Sequence, residues 1–179
     1  HLLWINLVTD TFPALALGLE QSEPGSMNRP PRNPSEGIFA GGLGTSVIYQ
    51  GILVTILTMA AYFIGHYMEA GVWEIANSQD GMTMAFLTMS MTEIFHSFNM
   101  RSQHGSIFTL HTHNKYLWAS MIASLALTTA VIYVPVLATM FGLTHISFME
   151  YLVALALAIS IIPIVEVAKA IERKIYGSK

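Results

Sequence analysis

Residues 2–19 read Leu-Leu-Trp-Ile-Asn-Leu-Val-Thr-Asp-Thr-Phe-Pro-Ala-Leu-Ala-Leu-Gly-Leu. The stretch is apolar enough to cross a membrane, yet Asp10 lies in its middle. An ionisable side chain at bilayer depth costs at least about 2.5–3.5 kcal/mol on insertion scales, so it marks function by default. Four more apolar segments follow, at about 43–65, 82–100, 116–138 and 148–168, and the first extends over about 1–20. Each approaches the roughly 20 residues that a helix needs to span a hydrocarbon core. Soluble domains carry about 25% charged residues. This chain carries 11%, and long apolar segments explain the deficit. The expected fold is therefore all-α: a polytopic membrane protein with a bundle of five transmembrane helices in one membrane domain, 1–179. With no cysteine in the chain, disulfides and thiolate metal sites are excluded. The expected surroundings are a lipid bilayer, with no nucleic-acid partner.

Asn6, Thr9, Asp10 and Pro13 cluster on about a third of the circumference of a regular helix at 100° per residue. Pro13 has no N–H, so the Thr9 carbonyl loses its usual partner four residues on. An orphan carbonyl in hydrocarbon must be satisfied unless it lines a cavity or binds something. A hard cation would satisfy it, and calcium takes carboxylate, amide and carbonyl oxygens. Polar residues also join membrane helices by hydrogen bonds, which suffices for Asn6 and Thr9 but seldom justifies a buried charge. Glu93 lies at comparable depth in the third segment. Two like charges at one depth need a cation or protons between them.

The eight Lys and Arg residues fall on one side of this ladder. Arg29 and Arg32 lie in the first connection, Arg101 and Lys115 bracket the third, and Lys169, Arg173, Lys174 and Lys179 lie in the tail. The positive-inside rule makes those parts cytoplasmic. The first helix then enters from outside, which implies earlier helices and a fragment of a longer protein. The proline-rich cytoplasmic loop, 21–42, holds Pro24, Pro30, Pro31 and Pro34 and is expected to be stiff and non-helical. It reads as a linker or as a docking surface for a soluble domain.

The run Leu3-Trp4-Ile5-Asn6-Leu7-Val8-Thr9-Asp10, with Pro13-Ala14 and Ala16-Leu17-Gly18, closely resembles the sixth transmembrane helix of sarco/endoplasmic-reticulum-type calcium P-type ATPases. Met27-Asn28-Arg29-Pro30-Pro31-Arg32 resembles their loop between helices six and seven, Thr92-Glu93 their eighth helix, and Pro163 to Arg173 the end of their tenth. The resemblance covers the whole chain. It implies that Asn6 and Asp10 serve one calcium site, and that Thr9, Asp10 and Glu93 serve a second. It also implies that the proline-rich loop contacts the phosphorylation domain. Calcium would be the transported ion, with ATP and magnesium bound only by upstream domains. Thr11 departs from the glycine of animal muscle-type pumps. Sodium/potassium pumps carry an acid at the Asn6 position, so asparagine favours calcium. The chain has no Asp-Lys-Thr-Gly phosphorylation sequence. Alone it is expected neither to hydrolyse ATP nor to bind calcium tightly; the longer pump would be the enzyme. A bacterial plasma membrane is the expected location.

Alternative readings are a pump for manganese or sodium, and an independent channel or secondary transporter. The absence of an internal repeat weighs against the last. Glu93 and His96 have the spacing of di-metal helical bundles, but no second copy exists. His104, His111 and His113 read as solvated loop residues. Met82, Met84, Met89, Met91 and Met100 read as flexible packing filler rather than a copper path. Glu166 and Lys169 have the spacing of a helical ion pair and read, with the basic tail, as cytoplasmic anchoring.

Overall fold

The computed structural model describes residues 1–22, 26–28, 31, 33–40, 42–102, 106–109 and 113–176, without the side chains of Ser26, Thr109, Ile175 and Tyr176. Pro24, Arg29, Pro30, Arg32, His104, His111 and Lys179 lie outside the described residues. Helix α1 spans Leu2–Gly18 and contains a π-helical stretch at Ile5–Asp10. The others are α2 (Leu43–Ala70), α3 (Gln79–Asn99), α4 (Lys115–Tyr133), α5 (Pro135–Phe141), α6 (Phe148–Ile159) and α7 (Ile161–Tyr176). Among the described residues there is no strand, and the chain is an all-α bundle.

Local chemistry sets the helix ends. The Ser78 hydroxyl accepts from Gly81 N–H at the start of α3, and the Asn114 side chain accepts from Leu117 N–H at the start of α4. Each supplies a partner to an N–H that the helix itself leaves unbonded. Ser147 and Glu150 form a reciprocal capping box at the start of α6. Gly71 closes α2 at φ 72°, a left-handed conformation that glycine adopts without a side-chain clash. The expected segments 116–138 and 148–168 are both interrupted. Val134 is extended, and Pro135 starts α5 as its first residue, where a missing N–H costs nothing. The break at Ser160 follows from Pro163, which offers no N–H to the Ile159 carbonyl.

Helix α3 is the axis of the bundle and packs against α1, α2, α4, α6 and α7. Met84, Leu87, Met91 and Ile94 on it are completely buried. Around them lie Leu57 and Ala61 from α2, Val131 and Ile132 from α4, Ala154 and Ala158 from α6, and Ile161 and Val165 from α7. Met84 and Met91 are thus core residues, in keeping with packing filler. The outer surface of α2 exposes Ile48, Ile52, Ile56 and Met59. A continuous apolar stripe of this kind suits contact with lipid.

Among the described residues, three helical stretches are long and apolar enough to cross a membrane: Leu43–Ala70, Lys115–Tyr133 and Phe148–Lys174. Leu2–Gly18 is apolar but shorter. Helix α3 has the length. Its Thr83, Thr88, Ser90, Thr92, Glu93 and His96 make it the most polar of the long helices, and burial shields it from whatever surrounds the bundle.

Helices α2 and α3 meet where neither carries a side chain. A Cβ on Gly81 would lie 2.7 Å from the Tyr62 carbonyl oxygen, and one on Gly65 would lie 2.9 Å from Gly81 Cα. Backbone atoms cannot yield as a flexible side chain can. Gly81→Ala is therefore expected to cost about 1–3 kcal/mol, read as a lower midpoint in thermal unfolding of the purified protein in detergent.

Candidate cation site

The site begins with the irregular turn in α1. With Pro13 four residues after Thr9, the regular hydrogen-bond pattern cannot continue, and residues 5–10 take the wider π form. Such turns are rare and concentrate at functional positions. Two threonine hydroxyls stabilise this one. Thr9 Oγ1 lies 2.7 Å from the Ile5 carbonyl oxygen, and Thr11 Oγ1 donates to the Asn6 carbonyl at 2.9 Å. Thr11, at the position that departs from the muscle-type sequence, thus ties the end of the π stretch to its beginning. Thr11→Gly should remove that bond and loosen the turn, at a cost of about 1–2 kcal/mol. Thr11→Ser should retain most of the stability, and comparing the two variants in thermal unfolding measures the hydroxyl's share.

Thr9 also links α1 to α3. Its Oγ1 stands 3.1 Å from Glu93 Oε2. One hydroxyl hydrogen is shared between this carboxyl and the Ile5 carbonyl. The Asp10 carboxyl neighbours the same Glu93 carboxyl. Thr9 is buried at 1% exposure, Glu93 is half-buried, and Asp10 is exposed. Ser124 on α4 donates to the Val8 carbonyl at 3.3 Å and holds the π stretch from the other side.

The stripe expected from a regular helix is divided. The wider turn directs Thr9 inward with Ile5 and Val8, whereas the Asn6 and Asp10 side chains remain exposed. Thr9, Asp10 and Glu93 form one group. Asn6 stands one turn away, and its carbonyl is engaged by Thr11. Among the described residues, no three His, Asp or Glu side chains come together as a metal cage. The donors on offer are two carboxylates, a hydroxyl and an amide, all hard oxygen ligands. Adjacent carboxylates need a cation or protons between them, and calcium takes six to eight oxygens. The arrangement therefore offers some, but not all, of the oxygens that a hard cation would need.

The sequence profile of the family described as cation transporting ATPase, C-terminus, matches residues 1–171. The chain belongs to that family. Calcium-transporting ATPase 1 of Bacillus cereus is 34% identical over 176 residues, which cover 92% of this chain and 20% of that protein. The calcium-transporting ATPase of Bacillus subtilis is 34% identical over 159 residues, covering 88% of this chain and 17% of that protein. An endoplasmic-reticulum-type calcium-transporting ATPase of Arabidopsis thaliana is 27% identical, covering 99% and 21% respectively. The chain thus spans about a fifth of the length of these relatives. As a member of this cation-transporting ATPase family, with its apolar helices, it is a multi-pass membrane protein.

Several polar residues of this family member outside the site have structural partners. His96 Nε2 donates to Gln50 Oε1 at 2.9 Å, and Asn99 Nδ2 donates to His96 Nδ1 at 3.3 Å. Both ring nitrogens are engaged in helix packing, which leaves the Glu-x-x-His spacing without a metal role. The anchoring role expected for Lys169 and Glu166 needs correction. Lys169 is 2% exposed. Its Nζ donates to the Asn99 carbonyl at 2.5 Å and the Ser102 carbonyl at 2.6 Å. Glu166 Oε1 accepts from Ile107 N–H at 3.1 Å. Helix α7 therefore fastens the C-terminal end of α3 and the segment after it. The signal was present in sequence, since Ile161, Val165 and Lys169 share the four-residue spacing of one buried face.

A second set of contacts, absent from the sequence reading, closes the C-terminal ends of α1 and α3. Arg101 grips Glu20 with two hydrogen bonds, Nε to Oε2 at 3.1 Å and Nη2 to Oε1 at 2.8 Å. Asn114 Nδ2 donates to Glu20 Oε2 and to the Ala16 carbonyl, both at 2.8 Å.

Proposed function

We propose that this chain is the C-terminal membrane part of an ATP-driven calcium pump and contributes cation-binding side chains to its transport sites. The observation that carries the reading is the Thr9–Glu93 hydrogen bond with Asp10 beside it. Family membership and relatives named calcium-transporting ATPases support calcium as the ion. In this reading Asn6 and Asp10 belong to one calcium site, and Thr9, Asp10 and Glu93 belong to a second. Helices elsewhere in the full-length protein complete both coordination shells. ATP and magnesium act in its soluble domains, and the proline-rich loop 21–42 relays their state to the membrane helices.

The bilayer arrangement follows the charge pattern. The five crossings are α1, α2, α3, α4 with α5, and α6 with α7. The first and third connections and the tail face the cytoplasm. The bacterial relatives favour a plasma membrane. The test is ATP-driven uptake of radioactive calcium into inside-out vesicles containing the full-length protein. Uptake that manganese or sodium at similar concentration fails to suppress supports the reading. Uptake of manganese or sodium in preference to calcium would replace it with a pump for that ion.

A further inference from the structure

Calcium coordination by Thr9, Asp10 and Glu93 requires α1 and α3 to hold one relative register. The Thr9–Glu93 hydrogen bond is one tie between them. The helices and the residues just past their ends meet at two levels, in the same order along each: Thr9 meets Glu93, and further on Glu20 meets Arg101. The helices therefore run in the same direction. The second contact lies about 12–16 Å from the first at the helical rise per residue.

This second contact has the features of a fixed joint. The Arg101 and Glu20 side chains are only 8% and 14% exposed. Two parallel hydrogen bonds define the orientation of the guanidinium against the carboxylate as well as their distance. Asn114 adds a third element by capping α4 with its oxygen while its nitrogen holds both Glu20 and the last turn of α1. A slide of α1 along α3 by one residue would break all of these bonds together. The proline-rich loop, 21–42, also begins directly after Glu20 in the chain. Any pull from that loop thus reaches the joint before it reaches Asp10.

We propose that the Glu20–Arg101–Asn114 node is a positioning device that sets the register of the two carboxylate-bearing helices and thereby tunes cation affinity without contacting the cation. The inference rests on the calcium-site reading above. Glu20 and Arg101 are positioning residues, and their effect belongs in the calcium dependence rather than in the maximal rate.

The experiment uses the full-length protein and measures phosphorylation by ATP across a calcium titration. Glu20→Gln keeps the shape of the side chain and removes its charge; Arg101→Met removes the grip. Each is expected to raise the half-saturating calcium concentration by about five- to tenfold, within the usual range of coupling between sites. Maximal phosphorylation should remain near that of the unmodified protein. Arg101→Lys should recover part of the affinity. The Glu20→Gln/Arg101→Met double variant should be no worse than the poorer single variant, because both remove one joint. Unchanged half-saturation in Glu20→Gln would overturn the proposal. So would additive effects in the double variant, or a fall in maximal phosphorylation at unchanged affinity. If the unmodified protein shows no calcium dependence, the calcium-site reading itself fails, a result distinct from all of these.

Discussion

Asp10→Asn in the full-length protein is expected to raise the calcium concentration required for phosphorylation by ATP by about a hundredfold or more, equivalent to about 2.7 kcal/mol. The substitution keeps the volume and one oxygen of the side chain but removes a full negative charge next to Glu93. Calcium affinity depends strongly on the number of charged ligands. An uncharged amide oxygen is a weaker partner for a divalent ion than a carboxylate. The alternative role for Asp10 is a passive helix-packing group. In that case asparagine, a competent hydrogen-bonding residue between membrane helices, should serve equally well. A calcium titration of phosphoenzyme formation separates the two roles. Calcium dependence equal to that of the unmodified protein would remove Asp10 from the site.

Lys169→Met should cause the largest loss of stability of any substitution outside the site, about 2–4 kcal/mol. Methionine fills much of the same volume, so little of this loss comes from a cavity. It comes from the carbonyls of Asn99 and Ser102, which lose a charged donor in a buried position. An unsatisfied buried polar group costs about 1–3 kcal/mol. The positive charge also stands at the C-terminal end of α3, where the helix dipole favours a cation. Thermal inactivation of the purified protein in detergent provides the measurement. A midpoint within a degree of the unmodified protein would contradict the structural role assigned to Lys169. Lys169→Arg, which keeps donors and charge, should lie between the two.

The helical architecture was legible because hydrophobic length is a property of each segment alone. Glu93 and Asp10 were conspicuous for the same reason: a carboxylate among leucines and methionines needs no neighbour to attract notice. The proline breaks followed less directly. Pro13, Pro135 and Pro163 are plain in the sequence, but each had a different outcome. Pro135 began a new helix and Pro163 ended one. Pro13 widened a turn that the Thr9 and Thr11 hydroxyls hold. Local sequence does not choose among these outcomes, because the choice depends on which side chains stand ready to take the freed backbone groups.

The contacts that define the site were not legible for a separate reason. Thr9 and Glu93 are 84 positions apart, and Glu20 and Arg101 are 81 apart. Periodicity places each on a face of its own helix and says nothing of which faces meet. Arg101 carried information as a boundary charge under the positive-inside rule, and that reading concealed its second role as a joint. Lys169 presented the opposite case. Its spacing from Val165 and Ile161 put it on the buried face, but a lysine near a basic tail reads first as solvated. Family resemblance singled out these oxygens, whereas the π turn and the split between inward Thr9 and outward Asn6 arise only in the folded chain.

The most direct measurement is equilibrium binding of radioactive calcium to the purified full-length protein, compared among the unmodified form, Asp10→Asn and Glu93→Gln. Under the sites proposed above, Glu93→Gln loses part of the tightly bound calcium, and Asp10→Asn, at the residue assigned to both sites, loses all of it. Tight calcium binding by Asp10→Asn at the level of the unmodified protein would contradict it.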